Sequence, residues 1–379
     1  MLNLDGTKIA HEAHAERLRA FLAGERVAPI TMDMALTQKC QMACRFCYAD
    51  LQRHEADPVP WEIWEQFLED CVTIGHKPGE GVKAISLVSD GESTLSKSYY
   101  KFIYKAKSLG IDVASGTNGE ALKHEEMPRL LESLTYLRIN FNAAGPEANA
   151  KIMGTSVRAH NRVVSNVREL VRLKKRYESP CTIGLQMVLM PHYGHEVVPL
   201  AQFGRELGVD YLVIKHCSDD EVGRIAKANP DFSYAWYRRP ETIALLEEAE
   251  SYSTDTYKVQ VKWSKLKVGR DRGYTRCHGA WLHLQISGTG LIAPCGSFFH
   301  PRYTDKHIGS LMTARFKDIW ASERYGQVLE SLRQPGFNPQ HDCATLCLQD
   351  KTNEALFAHI DRGFPLPVVL DRSHHHNFL

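Results

Sequence analysis

No apolar run in this 379-residue chain approaches the ~20 residues that a membrane-spanning helix needs. Candidates such as Met187 to Met190 and Tyr211 to Ile214 end after a few positions. The first residues, MLNLDGTKIAHEAHAERL, lack the apolar stretch of a secretion signal. Neither sign of charge dominates: 46 Lys and Arg face 45 Asp and Glu, and a net charge of +1 gives no whole-molecule field for nucleic acid. Internal repeats and low-complexity segments are missing as well. Ten cysteines are too dilute for a disulfide scaffold, and nothing directs the chain to an oxidising compartment. These absences leave a cytoplasmic globular protein of more than one domain, with neither a membrane nor a nucleic-acid partner.

What the chain has is clustered cysteine. Cys40, Cys44 and Cys47 lie near one end, Cys277, Cys295, Cys343 and Cys347 near the other, and Cys71, Cys181 and Cys217 are scattered between. Around them, residues 7–23 read as a helix stopped by Gly24. From residue 28 short apolar runs alternate with amphipathic segments, the rhythm of a parallel sheet with outer helices. The spacing predicts six strands, at Ile30–Leu36, Ala84–Val88, Asp112–Thr117, Tyr136–Asn142, Ile183–Met190 and Tyr211–Lys215. Helices are predicted over Pro60–Thr73, Lys97–Leu109, Glu125–Ser133, Val157–Tyr177 and Pro199–Leu207. The divisions are a helical extension (1–27), the α/β region (28–220), a connector with a possible strand at Val259–Trp263 (221–276), a small cysteine-bearing α+β domain (277–350) and a tail (351–379). His374, His375 and His376 in that tail read as a disordered or added end rather than a metal site.

The segment TQKCQMACRFCYA spaces Cys40, Cys44 and Cys47 as C-x3-C-x2-C directly after the first predicted strand. Three thiolates in one short loop can hold a cubane iron–sulfur cluster and leave its fourth iron open. A structural zinc site is the alternative, but it normally closes with four protein ligands, and no fourth Cys or His stands at a suitable spacing.

The motif resembles that of the radical S-adenosylmethionine superfamily, with Phe46 at the aromatic position before the last cysteine. The resemblance implies a partial (β/α)6 TIM-like barrel. It also implies that the open iron chelates S-adenosylmethionine, whose reductive cleavage yields a 5′-deoxyadenosyl radical, with flavodoxin or ferredoxin as electron donor. In VSDGES, Asp90, Gly91 and Glu92 stand where the family meets the methionine amino group, Glu92 being the candidate acceptor, although Asp-Gly is also an ordinary turn pair. Ser115, Thr117 and Asn118 of SGTNG, Asn140 and Asn142 of RINFNA, and Gln186 are the implied contacts for the ribose and carboxylate. A polar residue facing the barrel either binds a ligand or satisfies neighbouring backbone. Asp33 on the first strand, with Lys215 as a candidate partner, reads equally as a substrate group or a structural pair.

Cys277 and Cys295 enclose HGAWLHLQISGTGLIAP, which reads as a hairpin turning at GTG and bringing the two thiols to one end. Cys343 and Cys347, spaced like one helical turn, complete a four-thiolate site for a second cluster, with zinc or a single iron as the alternative. The C-x(9–15)-G-x4-C opening resembles the SPASM and Twitch auxiliary domains. Four cysteines, where a full SPASM domain has seven or more, imply one auxiliary [4Fe–4S] cluster. Cys71, Cys181 and Cys217 read as core thiols, Cys217 also as a candidate hydrogen donor to a substrate radical. Asp33, Lys215 and Cys217 are thus the candidate catalytic residues. The run RLKKR at 172–176 reads as the solvated end of a helix.

The layout resembles peptide-modifying maturases, splicease-type enzymes among them. It implies hydrogen abstraction from a ribosomally made precursor peptide, leading to cross-linking, epimerisation or excision of a tyrosine-derived fragment. The first 27 residues hold only one helix, so a separate small protein is expected to recognise a leader. The alternative is a dehydrogenase or epimerase of a small polyhydroxylated metabolite.

Overall fold

The computed structural model describes residues 7–47, 49, 58–217, 233–268, 272–343, 347–366 and 375–379. Its strands are β1 (Thr31–Met34), β2 (Ala84–Leu87), β3 (Asp112–Thr117), β4 (Leu134–Asn140), β5 (Thr182–Leu189), β6 (Tyr211–His216), β7 (Lys258–Val261), β8 (His283–Ile286), β9 (Leu291–Ala293) and β10 (Gly309–Ser310). Among the described residues no helix is long and apolar enough to cross a membrane. The chain divides into two compact units. The first draws on residues 1–39, 51–114 and 270–379, the second on 40–50 and 115–269, and β3 has residues in each.

In the first unit β1 lies between two parallel partners, β2 and β8, with Asp33 opposite Ser86 on one side and Gln285 on the other. β8 turns back into antiparallel β9, as the hairpin pattern predicts, and β10 pairs with β9. All residues of β1, β2 and β8 are buried. Because side chains alternate along a strand, Thr31, Asp33, Ser86, His283 and Gln285 share one face, leaving the other apolar. Trp64 and Phe67 of helix Trp61–Thr73, Phe102 of Tyr99–Ser108 and Phe316 of Phe316–Ala321 form a buried aromatic group with ring centroids 5.2 to 6.4 Å apart. Each such ring contributes roughly 1.5–3 kcal/mol by leaving water. Asp70 fixes the last of these helices: its carboxylate takes Arg315 Nη2 at 2.6 Å, Arg315 Nε at 3.2 Å and Lys317 N at 3.2 Å.

A buried guanidinium holds the N-terminal helix Ala15–Leu22. Arg17 donates to the carbonyls of Ala28, Pro29, Glu80 and Gly81 at 2.7 to 3.1 Å and pairs with Glu80 at 3.3 Å. Burial lowers its pKa to about 10, against the pull of Glu80, so it stays charged at neutral pH. Glu80 also accepts from the backbone N–H groups of Ala28 and His76.

Residues 375–379 correct the expectation of a disordered end. Thr31 Oγ1 donates to the Asn377 carbonyl at 2.5 Å and accepts from Leu379 N at 3.1 Å, while Asn377 Nδ2 donates to Asp112 at 2.7 Å. The His376 ring stacks on His11 at 4.5 Å, and Phe378 is buried. The cause is unsatisfied chemistry at the strand starts: Thr31 and Asp112 open β1 and β3, and the tail bonds both. Leu379 joins an apolar cluster containing Ile9, Leu18, Phe21 and Leu282. His374 lies outside the described residues.

In the second unit β4, β5, β6 and β7 are all parallel, in that order. β7 is a parallel strand beyond the six expected, and it ends at Val261 rather than Trp263. Glu250 explains the end: it accepts from Val261 N at 2.8 Å and from Trp263 Nε1 at 2.9 Å, and Trp263 opens the helix Trp263–Val268. Helix Val157–Tyr177 has the predicted bounds, with Ser156 capping it by accepting from Ala159 N at 3.1 Å. Its basic end pairs locally, Arg172 with Glu169 and Lys174 with Asp210, and complements the helix dipole. Cys71, Cys181 and Cys217 are fully buried.

Replacing Glu80 leaves the Arg17 cation buried without its counter-charge, so Glu80→Ala lowers the unfolding free energy by about 3–5 kcal/mol. Chemical denaturation followed by circular dichroism measures this. Glu16→Ala, which removes an exposed pair with Lys77, leaves the midpoint in place.

Candidate functional site

The loop from Cys40 to Cys47, in the second unit, has no regular structure of its own. Cys47 N donates to Cys44 O at 3.1 Å, a tight turn that brings two of the three cysteines together. The loop is held from outside: Ala43 N donates to Gly154 O at 3.2 Å and Arg45 N to Ile152 O at 3.1 Å. Both acceptors stand at the end of helix Pro146–Met153, which the sequence reading did not place. Its signals were there, with Pro146 in the first turn and Gly154 just past the last. Gly154 has φ +58, and a Cβ on it would lie 2.2 Å from Ala43 O, so only glycine permits this approach.

The helix is fixed in turn to the exit of β4. Asn149 Oδ1 accepts from Asn142 N at 3.0 Å and from Ala143 N at 3.3 Å. Asn142 Oδ1 accepts from Val188 N at 2.8 Å, and its amide donates to Met153 Sδ at 3.0 Å. Asn142 is therefore engaged within the chain at both ends of its side chain, the backbone-satisfying alternative of the two. Met153 Sδ is also 4.0 Å from Cys44 Sγ. A continuous path of contacts runs from β4 to one of the loop thiols.

Of the other residues singled out by sequence, Asn118 and Cys217 contact this loop. Asn118 and Gln41 pair through their amides at 3.2 Å, and Asn118 Nδ2 is 4.0 Å from Cys40 Sγ. Thr117 Oγ1 accepts from Gly119 N at 2.9 Å, and Ser115 is buried. Asn140 and Gln186 stand opposite each other in the sheet and bond at 2.7 Å. Phe46 is buried, and its carbonyl is 3.7 Å from Cys217 Sγ. Cys217 thus backs the cysteine loop. Cys40, Cys44 and Cys47 are partly exposed, which fits three ligands whose open side must admit another molecule.

In the first unit, Asp90, Gly91 and Glu92 lie against residues 36–39. Asp90 accepts from Gln38 Nε2 and Ser287 Oγ at 2.6 Å each and from Gly288 N at 2.9 Å, locking the exit of β1 to the β8–β9 turn. A Cβ on Gly91 would sit 1.9 Å from Thr37 O, so the tight Asp-Gly turn is also a close backbone crossing. Glu92 N donates to Lys39 O at 2.9 Å, and its Oε1 accepts from Thr94 Oγ1 at 2.7 Å. The partner of Asp33 is His283, with Nε2 3.0 Å from the carboxylate, rather than the suggested Lys215. The β1–β8 pairing brings that histidine from a distant part of the sequence.

The other four cysteines also gather in the first unit. Cys277 and Cys295 flank the hairpin. Cys343 ends helix Pro339–Asp342 with extended backbone (φ −111°, ψ 158°), and residues 344–346, where the helical turn to Cys347 is expected, lie outside the described residues. Burial raises the Cys277 thiol to about 12, and the nearby Cys347 adds to the shift. Burial likewise raises Cys295 and Cys343, and Cys343 is raised further by Cys347, Cys277 and Cys295. The four sulfurs therefore lie within electrostatic reach of one another. Cys277, Cys295, Cys343 and Cys347 would hold an iron–sulfur cluster as thiolates, since metal-bound thiols are deprotonated. Among the described residues no three His, Cys, Asp or Glu side chains converge closely enough to hold one metal ion.

Polar groups surround these sulfurs. Asn353 Nδ2 is 3.4 Å from Cys277 Sγ and 3.9 Å from Cys347 Sγ. Gln349 Nε2 donates to His283 O at 2.7 Å and to Pro294 O at 3.0 Å, leaving its carbonyl 3.4 Å from Cys277 Sγ. Arg272 is buried within electrostatic reach of Cys343 and Cys347, and Tyr274 donates to Asp350 at 2.8 Å. The motif search found none of these four residues, because no local pattern marks a side chain that faces a sulfur from another segment.

Comparison with known families agrees with both cysteine sites. The Radical SAM superfamily model matches residues 34–203, and the SPASM model, an iron–sulfur cluster-binding domain, matches 277–348. The probable GTP 3′,8-cyclase of Thermococcus kodakarensis is 25% identical over 199 residues, 52% of this chain and 61% of that protein. The chain therefore matches less than two thirds of that relative's length. Streptococcus suis SuiB bound to its precursor peptide SuiA superposes with a TM-score of 0.60 at 16% identity, over 83% of this chain and 70% of that one. The enzyme anSMEcpe with bound AdoMet and the Kp18Cys peptide gives 0.57 at 14% identity, over 86% and 88%. These likenesses show the fold, a partial TIM-like barrel with a C-terminal SPASM domain.

A side chain at residue 154 must push the Ala43 carbonyl away and so spread the loop cysteines. After anaerobic reconstitution Gly154→Val holds about four irons per chain against about eight in the parent, by colorimetric iron assay, with its circular dichroism preserved.

Proposed function

From a chain that is a radical S-adenosylmethionine enzyme with a SPASM iron–sulfur domain, we infer that the substrate is a ribosomally made precursor peptide that loses a hydrogen atom from a Cα or side-chain carbon. The observation that carries this reading is architectural. Two structures that share this layout over more than four fifths of the chain hold peptides, SuiA in one and Kp18Cys in the other.

Cys40, Cys44 and Cys47 hold the cluster with the open iron, and Cys277, Cys295, Cys343 and Cys347 hold one auxiliary cluster. When bound, the first cluster and S-adenosylmethionine supply a 5′-deoxyadenosyl radical beside the substrate. The protein's part is placement. Helix Pro146–Met153 fixes the cysteine loop, Phe46 and Cys217 back it, and Asn118 lies beside Cys40. Ser115, Thr117, Asn118, Asn140 and Gln186 are the candidate contacts of the cofactor. Asp33 and Lys215 remain the candidates for moving a proton. A separate small protein presents the leader, and flavodoxin or ferredoxin delivers the electron.

The second reading is a small polyhydroxylated metabolite, oxidised or epimerised. The observation in its favour is the 25% identity to a probable GTP cyclase. Labelled substrates separate the two. The reconstituted enzyme, given dithionite and S-adenosylmethionine, forms 5′-deoxyadenosine, and Cys44→Ala abolishes it. With perdeuterated precursor peptides the 5′-deoxyadenosine gains deuterium by mass spectrometry. Deuterium arriving only from perdeuterated sugars or nucleotides establishes the second reading.

A further inference from the structure

We propose that Asn353 sets the electron affinity of the auxiliary cluster, directing its side-chain N–H groups at two of the cysteine sulfurs and so favouring the reduced state. The proposal rests on the assignment of Cys277, Cys295, Cys343 and Cys347 as ligands of that cluster.

The orientation of the amide carries the argument. Asn353 is 1% exposed and stands near the start of helix Asp350–Ile360. Its Oδ1 accepts from Gly279 N at 2.7 Å, which fixes the oxygen on the backbone two residues beyond Cys277. With the oxygen held there, the NH2 end points the other way, to Cys277 Sγ at 3.4 Å and Cys347 Sγ at 3.9 Å. One planar group thus faces two cysteines that are far apart in sequence. An amide flip would turn the oxygen towards both sulfurs and leave Gly279 N without its acceptor, so the network selects the orientation.

An electron added to a four-thiolate cluster increases the negative charge on its sulfurs. N–H groups aimed at those sulfurs are bonded more strongly in the reduced state, and hydrogen bonding to sulfur is an established control on cluster potential. A buried site amplifies the effect because little water screens it. Arg272, 2% exposed and within electrostatic reach of Cys343 and of the shared Cys347, acts in the same direction. Amide and guanidinium together make the site a better electron acceptor than its four thiolates alone. This role concerns potential, and Asn353 is a positioning residue with no contact to substrate.

The test uses the full chain with Cys40, Cys44 and Cys47 changed to Ala, so that only the auxiliary cluster reports. After anaerobic reconstitution, iron is counted and the midpoint potential is read by redox titration followed by electron paramagnetic resonance. Asn353→Asp keeps an oxygen for Gly279 N while replacing the donor with a negative charge. Asn353→Ala removes donor and acceptor together. The expected order of electron affinity is parent, then Ala, then Asp, with Asp weaker than the parent by at least about tenfold, equivalent to about 59 mV. Potentials that agree within twofold in electron affinity, with about four irons retained in each variant, overturn the proposal. Loss of iron from both variants overturns it as well, because Asn353 is then a scaffold for the ligands. A parent chain that binds no iron overturns the ligand assignment itself, a separate outcome.

Discussion

The fixed position of one irregular loop is the constraint on which the rest of this structure depends. Three cysteines lie between residues 40 and 47, the proposed ligands of one cluster, yet the segment has no helix or strand to hold them. Its geometry is imported through two backbone hydrogen bonds to the end of helix Pro146–Met153. That helix is positioned by Asn149 and Asn142 at the exit of β4, so a side chain on a parallel strand's exit governs a thiol in another segment. The arrangement puts the reactive loop on a rigid sheet without making it part of the sheet. Precision here comes from buried amides with every polar end engaged, which leaves few alternative conformations.

The auxiliary site solves a different problem by different means. Its four cysteines come from a hairpin and from residues 343 and 347, and they are held among groups chosen for their polarity toward sulfur. Burial raises the Cys277 and Cys343 thiols, and the neighbouring cysteines add to the shift. The seven cysteines of the two clusters are all partly exposed.

Much of the fold was legible because buried parallel strands and long amphipathic helices leave strong periodic patterns. Asp112–Thr117 and Val157–Tyr177 have the bounds that periodicity gives them, and both cysteine motifs stand out by spacing alone. Helix Pro146–Met153 was missed because it is short and has few large apolar residues, so only its Pro and Gly ends signalled it. The partner of Asp33 was not legible, since β1 and β8 are joined by pairing and not by proximity in the chain. Nor was the docking of residues 375–379, which depends on polar atoms at the starts of β1 and β3. Asp90, Asn353 and Gln349 belong to the same class, each bonding segments that only the folded chain assembles.

The parallel pairing of β1 with both β2 and β8 also bears on how the protein is made. On the ribosome, β1 and β2 emerge early, but the second edge of β1 has no partner until residues 283–286 have been synthesised. At typical elongation rates that interval lasts on the order of tens of seconds. Throughout it the nascent chain displays an open strand edge, a template for unwanted pairing with other chains. Residues 115–269, whose strands β4 to β7 pair in sequence order, need not wait and can condense first. Yield in a foreign host should therefore depend more on chaperone supply and translation speed than on the stability of the finished fold.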